Sequence, residues 1–235
     1  MSDTTNPVHP KGPVIQLGKL RIAGGWAILI LLAVMAGIVT LVVRVRPALS
    51  GWPIWVSAAI WIIFVMYWGS SAKNSAPSTA QETVKSRQFH ELLLNAGFLL
   101  LFIPVWGLST QIWPRKLIYM LAGLLIQTFF FSLAVWARRH LGKNWSGAIS
   151  TKFNHQLIRT GPYRVIRHPI YTAMLGMFAG SAIVSGTPHA IIAFGIIAAS
   201  YSRKIPMEER HLNAVFGEEY RMYRRESAAL VPWLL

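Results

Sequence analysis

Four stretches of this chain, 22–43, 52–72, 92–113 and 117–137, contain no aspartate, glutamate, lysine or arginine, and each is 21 or 22 residues long. At about 1.5 Å of rise per residue, a helix over any of them reaches about 30 Å, the depth of a bilayer's hydrocarbon core. The rest of the chain cannot cover so much apolar surface. Hydrophobic residues make up 54% of it and charged residues 13%, against roughly 25% charged in soluble domains. The expected fold class is therefore all-α, a polytopic membrane helix bundle with these four runs as full spans. The first run follows a 21-residue polar leader and exceeds the about 7 to 15 apolar residues of a signal peptide. It reads as a retained anchor.

A fifth uncharged run covers 170–202 and is interrupted by Ser185-Gly186-Thr187-Pro188. A Gly-Thr-Pro break favours a turn over a continuous helix. Charge decides how often this run crosses. With a hairpin at 170–202, the two sides of the membrane carry 19 and 4 lysines and arginines, whereas a single crossing gives 13 and 10. The positive-inside rule selects the hairpin, with both termini cytoplasmic. Each arm then holds only about 14 to 16 residues, or about 21 to 24 Å, so the arms are expected to be tilted or partly inserted.

Three regions follow: a flexible cytoplasmic leader at 1–21, a four-helix transmembrane region at 22–137, and a third region at 138–235 that contains the hairpin. The net charge of +15 flanks apolar helices, so the expected partner is a bilayer with anionic headgroups and not nucleic acid. With no cysteine in the chain, a thiol nucleophile and a cysteine-held zinc are excluded, and no metal is expected. All eight acidic residues fall on the cytoplasmic side, five of them in the tail. Polar chemistry therefore belongs to the cytoplasmic face built from 138–169 and 203–235.

Within that face, Gly161-Pro162 makes a turn and Pro169 stands at a favoured first position of a helix. Arg167 and His168 then lie beside a helix N-terminus, which attracts a carboxylate. Arg159, Arg164 and Arg167 also suit phospholipid phosphates. Further on, Leu212, Val215, Phe216, Tyr220 and Tyr223 recur at helical spacing. The tail from about Met207 to Arg225 is thus expected to be one amphipathic helix, lying on the membrane or against the loop before the hairpin. Glu208 and Glu209 begin it, where negative charge is favourable.

The pattern His155-x-Leu157-Ile158-x-x-Gly161-Pro162-Tyr163-x-x-x-Arg167-His168-Pro169-x-Tyr171, followed by Glu208-Glu209-x-x-Leu212-x-x-x-Phe216-Gly217-x-x-Tyr220-x-x-Tyr223, resembles the isoprenylcysteine carboxyl methyltransferase and phospholipid methyltransferase superfamily. Leu141 to Ser146 resembles the segment that enters that family's cofactor loop. The resemblance covers about 85 residues of the C-terminal part and implies S-adenosylmethionine as cofactor, bound without a Rossmann domain. The chain has no G-x-G-x-x-G sequence that would supply one. By motif position, His155, Gln156, Leu157, Ile158, Tyr163, His168, Pro169, Ile170 and Tyr171 would line the cofactor, and Glu208 or Glu209 would hold its polar end. A cation about one turn before the glutamates would orient a carboxylate acceptor, a role that falls to Arg203 or Lys204.

The acceptor implied is lipidic: first the carboxyl group of a prenylcysteine, with a phospholipid amine or a small thiol as alternatives. The chain departs from the family after Tyr223, where it reads Arg225-Glu226-Ser227-Ala228 and proline is delayed to Pro232. A scaffold or transporter subunit is the non-enzymatic alternative. Transporters place ionisable residues inside their spans, and the four long runs have none.

Overall fold

The computed structural model describes residues 14–17, 20–23, 51–72, 78–80, 82–152 and 156–232. Six helices carry the fold: α1 (Trp52–Ala72), α2 (Val84–Phe102), α3 (Leu117–Leu141), α4 (Pro169–Ser185), α5 (Pro188–Phe216) and α6 (Glu218–Glu226). Two short antiparallel ladders qualify the all-α expectation. β1 (Val14–Leu17) pairs with β2 (Leu20–Ala23), and β3 (Ser78–Ala80) pairs with β4 (Ser150–Lys152). Part of the expected flexible leader is thus a paired hairpin. The expected first span, 22–43, begins inside β2 and otherwise lies outside the described residues.

Local signals explain most helix ends. Proline occupies the first position of α4 and α5, where no backbone N–H is needed. Gly186, at φ 66°, closes α4 in the left-handed conformation, which glycine adopts without steric penalty. The interrupted run at 170–202 is accordingly a helical hairpin. α1 coincides with the expected span 52–72, while α3 starts as expected and continues past residue 137 through Arg138, Arg139 and His140. Basic residues there complement the negative end of the helix dipole. By length and composition, α1 and α3 could each cross a membrane.

The expected span 92–113 is corrected. α2 begins eight residues earlier and stops at Phe102. Thr83 caps its start by accepting a hydrogen bond from the Ser86 N–H at 3.3 Å. The charged first half is held in part by an Arg87–Glu91 pair one turn apart, so the lack of charge marks the wrong boundary. Pro104 disfavours helical geometry at the preceding Ile103 and ends the helix. The amphipathic tail is corrected as well. Its first half is the continuation of α5, and Gly217 at φ 55° separates it from α6.

The helices pack around Trp61, Phe98 and Phe178, whose rings meet edge to face at 4.7 to 5.0 Å. α3 and α4 approach so closely that a Cβ on Gly123 would lie 2.7 Å from the Gly180 carbonyl, the small-residue contact that membrane helices use. Ser181 accepts from the Trp61 indole at 2.9 Å, and Gln127 donates to the Ser57 carbonyl at 3.0 Å. This packing brings the lower ends of α3, α4 and α5 together with the loop that joins α3 to α4.

Candidate functional site

The loop before α4 turns at Gly161, which sits at φ 58° and whose added Cβ would overlap the His140 ring. A single 3-10 turn, Gly161–Arg164, then buries Tyr163. Tyr223 of α6 donates to the Tyr163 carbonyl at 2.6 Å. Burial, with Glu208 nearby, pushes the Tyr163 phenol well above its ordinary range. It therefore stays neutral as a wall of the site.

The C-terminal segment runs alongside this loop. Arg167 N–H donates to the Ala228 carbonyl at 2.8 Å, His168 N–H to Ala229 at 3.1 Å, and Ala228 N–H to Val165 at 3.0 Å. Thr172 then donates its hydroxyl to the Leu230 carbonyl at 2.6 Å. The Arg167 side chain donates to the carbonyls of Ser227 and Arg224. The stretch that departs from the family pattern is therefore the strap that receives Arg167.

Glu208 and Glu209 are neighbours on α5, about 100° apart around its axis, so they cannot face the same way. Glu208 accepts a hydrogen bond from the Tyr171 hydroxyl at 2.6 Å and lies 4.0 Å from His168 Nδ1. Glu209 meets Arg167 Nε at 2.8 Å, His168 Nε2 at 3.4 Å and Arg224 Nε at 3.4 Å. Burial by itself would raise the Glu209 carboxyl, but hydrogen bonds from His168 and Arg167 outweigh it and hold the group down to about 2.

This pKa shift has a consequence for acid stability. A carboxyl whose folded pKa is depressed stabilises the fold fully above its unfolded value, 4.5 here, and that contribution drains as pH falls toward about 2. Acid unfolding of the wild type should therefore steepen between about pH 4.5 and 2. Glu209→Gln should flatten this window when both are followed by near-UV circular dichroism, and equal slopes would contradict the assignment.

Between these elements lies a cleft of about 130 Å³, partly open to solvent. Of the residues expected at a cofactor site, Gln156, Leu157, Ile158, Tyr163, His168, Pro169, Ile170, Tyr171 and Glu208 line it. His155 lies outside the described residues. Glu209 does not line the cleft, because its carboxylate is committed to Arg167 and His168.

Arg203 and Lys204 are likewise absent from the lining. Arg203 donates to Ser86 at 3.0 Å and lies over the Phe89 ring, while Lys204 donates to the Gly147 carbonyl at 3.0 Å. The acceptor-orienting role expected of them has no support in this geometry.

Several lining residues were not singled out from the sequence as site residues. Trp145, Ile149 and Ser150 come from the loop after α3, and His211, Leu212, Phe216, Tyr220 and Tyr223 come from α5 and α6. The spacing of the last four marked an apolar face, but it could not say that the face covers a cleft. Trp145 is held by the Arg138 guanidinium, 4.5 Å above its ring. Tyr220 lines the cleft, and its buried hydroxyl has no hydrogen-bond partner among the described residues.

The result is a cleft with one carboxylate, a helix N-terminus and aromatic walls. In the first turn of α4, the N–H groups of Ile170 and Tyr171 lack intrahelical acceptors by geometry. Such a set can pair an ammonium group at Glu208, receive a carboxylate at α4 and pack a flat ring. Among the described residues no group of histidines and carboxylates could hold a metal ion.

Comparison with known proteins points the same way. The phospholipid methyltransferase family pattern matches residues 118–219. Protein-S-isoprenylcysteine O-methyltransferase A of Arabidopsis thaliana is 30% identical over 131 residues, 54% of this chain and 64% of that protein. Methanethiol S-methyltransferase of Mycobacterium tuberculosis is 29% identical over 160 residues, 63% of this chain and 64% of that protein. The chain thus spans somewhat less than two thirds of these relatives. A solved structure of the eukaryotic intramembrane Ras methyltransferase, isoprenylcysteine carboxyl methyltransferase, shares the fold with a TM-score of 0.50 at 18% identity, covering 86% of this chain and 75% of that one.

Proposed function

We propose that this chain is a member of the isoprenylcysteine carboxyl methyltransferase and phospholipid methyltransferase superfamily, which its family match over residues 118–219 and its similarity to the Arabidopsis relative support, and that it methylates a hydrophobic acceptor from S-adenosylmethionine at a membrane surface. The observation that carries this reading is the pairing of Glu208 with the N-terminal end of α4 across one aromatic-walled cleft. Glu208 would hold the cofactor's ammonium group, and the first-turn N–H groups of α4 its carboxylate. Bound there, the cofactor supplies an electrophilic methyl group on sulfur. The protein's own contribution is to align donor and acceptor in line and to exclude water.

The charge balance supports an insertion with both termini cytoplasmic and the cleft on the cytoplasmic face, against anionic headgroups. The first acceptor in this proposal is the carboxyl group of a prenylcysteine, after the Arabidopsis relative. A small thiol is the second reading, and one observation favours it. The cations proposed for a carboxylate are engaged elsewhere, Arg203 with Ser86 and Lys204 with Gly147, and Arg167 at the cleft is paired with Glu209. A thiol needs no such cation.

The test is a transfer assay with the full chain in lipid nanodiscs, methyl-labelled S-adenosylmethionine and three acceptors: a farnesylcysteine analogue, methanethiol and phosphatidylethanolamine. Label on the first supports the carboxyl reading, and label on the second the thiol reading. Label on phosphatidylethanolamine alone would overturn both. No transfer, together with no cofactor binding by calorimetry, would overturn the methyltransferase proposal.

A further inference from the structure

We propose that Glu82 and Lys204 form a buried latch that fixes the 145–150 wall of the cleft, which makes the segment before α2 a positioning element of the site. That segment reaches the wall through its backbone. β3 pairs with β4 so that Ala80 faces Ser150, and Glu82 N–H donates to the Ile149 carbonyl at 3.2 Å. The Glu82 carboxylate then accepts from the Ile149 N–H at 3.3 Å and from the Ser86 hydroxyl at 2.9 Å. Lys204 Nζ lies 3.8 Å from that carboxylate and donates to the Gly147 carbonyl at 3.0 Å.

The two side chains are 1% and 4% exposed. Charges so buried persist only when each is compensated. Here part of the compensation comes from the backbone of the wall itself, at Gly147 and Ile149. The wall and the charge pair therefore hold each other, and loosening one releases the other. Burial pushes the Lys204 amine below its ordinary range and the Glu82 carboxylate pulls it back up, as expected for a lysine that depends on its partner. Behind the pair, Arg203 donates to Ser86 at 3.0 Å and His90 meets Ser200 at 2.7 Å, so α2 and α5 are tied at the same level.

Trp145, Ser146, Ala148, Ile149 and Ser150 of the wall line the cleft, whereas Glu82 and Lys204 do not. These two act through the wall and are positioning residues. A wall without helix geometry keeps its place through such bonds, from the backbone of the segment before α2 and from these two side chains. A cleft that must exclude water needs that wall in place.

The inference rests on the proposed cofactor only for the choice of ligand. Its test uses the full chain in nanodiscs, with S-adenosylhomocysteine titrated by calorimetry and amide hydrogen exchange followed over 145–152. Lys204→Met should weaken binding at least about tenfold, because it leaves a buried carboxylate unpaired. It should also speed exchange at Ala148 and Ile149. Glu82→Gln should do the same more mildly. The double variant should bind better than Lys204→Met alone, since no charge is then left uncompensated.

Wild-type affinity and wild-type exchange in Lys204→Met would overturn the latch, as would simply additive losses in the double variant. If the wild type binds no S-adenosylhomocysteine, the functional proposal fails and the exchange comparison decides the latch by itself. If Lys204→Met does not fold, Glu82→Gln carries the same comparison, and unchanged exchange in it would overturn the inference.

Discussion

Replacing Glu208 with alanine is expected to weaken S-adenosylmethionine binding by about 10- to 100-fold while leaving the fold intact. A charge-assisted hydrogen bond contributes about 1.5 to 3 kcal/mol, and each 1.4 kcal/mol is a factor of ten in affinity. The Glu208 side chain is 30% exposed, which keeps the expected loss below that of a fully buried charge. Glu208→Gln should retain the hydrogen bond from Tyr171 yet lose the attraction for an ammonium group, so its affinity should also fall. Calorimetric titration of both variants measures the effect. Wild-type affinity in both would remove Glu208 from the site.

Arg167→Ala should give the largest loss of stability, about 3 to 5 kcal/mol, because it leaves one partner of a buried ion pair uncompensated. The side chains of Arg167 and Glu209 are 6% and 10% exposed. Arg167 also donates to the Ser227 and Arg224 carbonyls, so the variant releases the C-terminal strap along with Glu209. Arg167→Lys should recover only part of the loss, since an ammonium cannot reproduce the guanidinium fork. Arg224 meets the same carboxylate but is 63% exposed, and Arg224→Ala should cost at most about 1 kcal/mol. Denaturant unfolding in a fixed detergent measures all three. Equal losses at Arg167 and Arg224 would show that the strap is not held through the buried pair.

The contrast between these two glutamates shows where sequence reasoning stops. Both belong to one motif, and the motif points to an acidic contact with the cofactor without choosing between them. The choice comes from the rotation of α5, which turns Glu208 toward Tyr171 and Glu209 toward Arg167. Arg167 stood in the quoted pattern, but its partner lies 42 residues away along the chain. Arg203 and Lys204 show the same dependence on distant partners. Spacing from Glu208 suggested a cation for the acceptor, whereas α2 and the loop after α3 supply their partners from elsewhere in the fold.

By itself the sequence determined the features whose causes are local. Missing charge located α1 and the start of α3, proline and glycine set the ends of the hairpin, and the ordered motifs marked the stretch of chain that lines the cleft. Only the tertiary structure decided which glutamate faces the cleft, where α2 begins and ends, that the expected tail helix is the end of α5 followed by α6, and that Lys204 donates to the Gly147 carbonyl. The reason is physical. A helix end depends on a few neighbouring residues, while a buried charge takes whichever partner the packing of distant elements brings within about 3 to 4 Å.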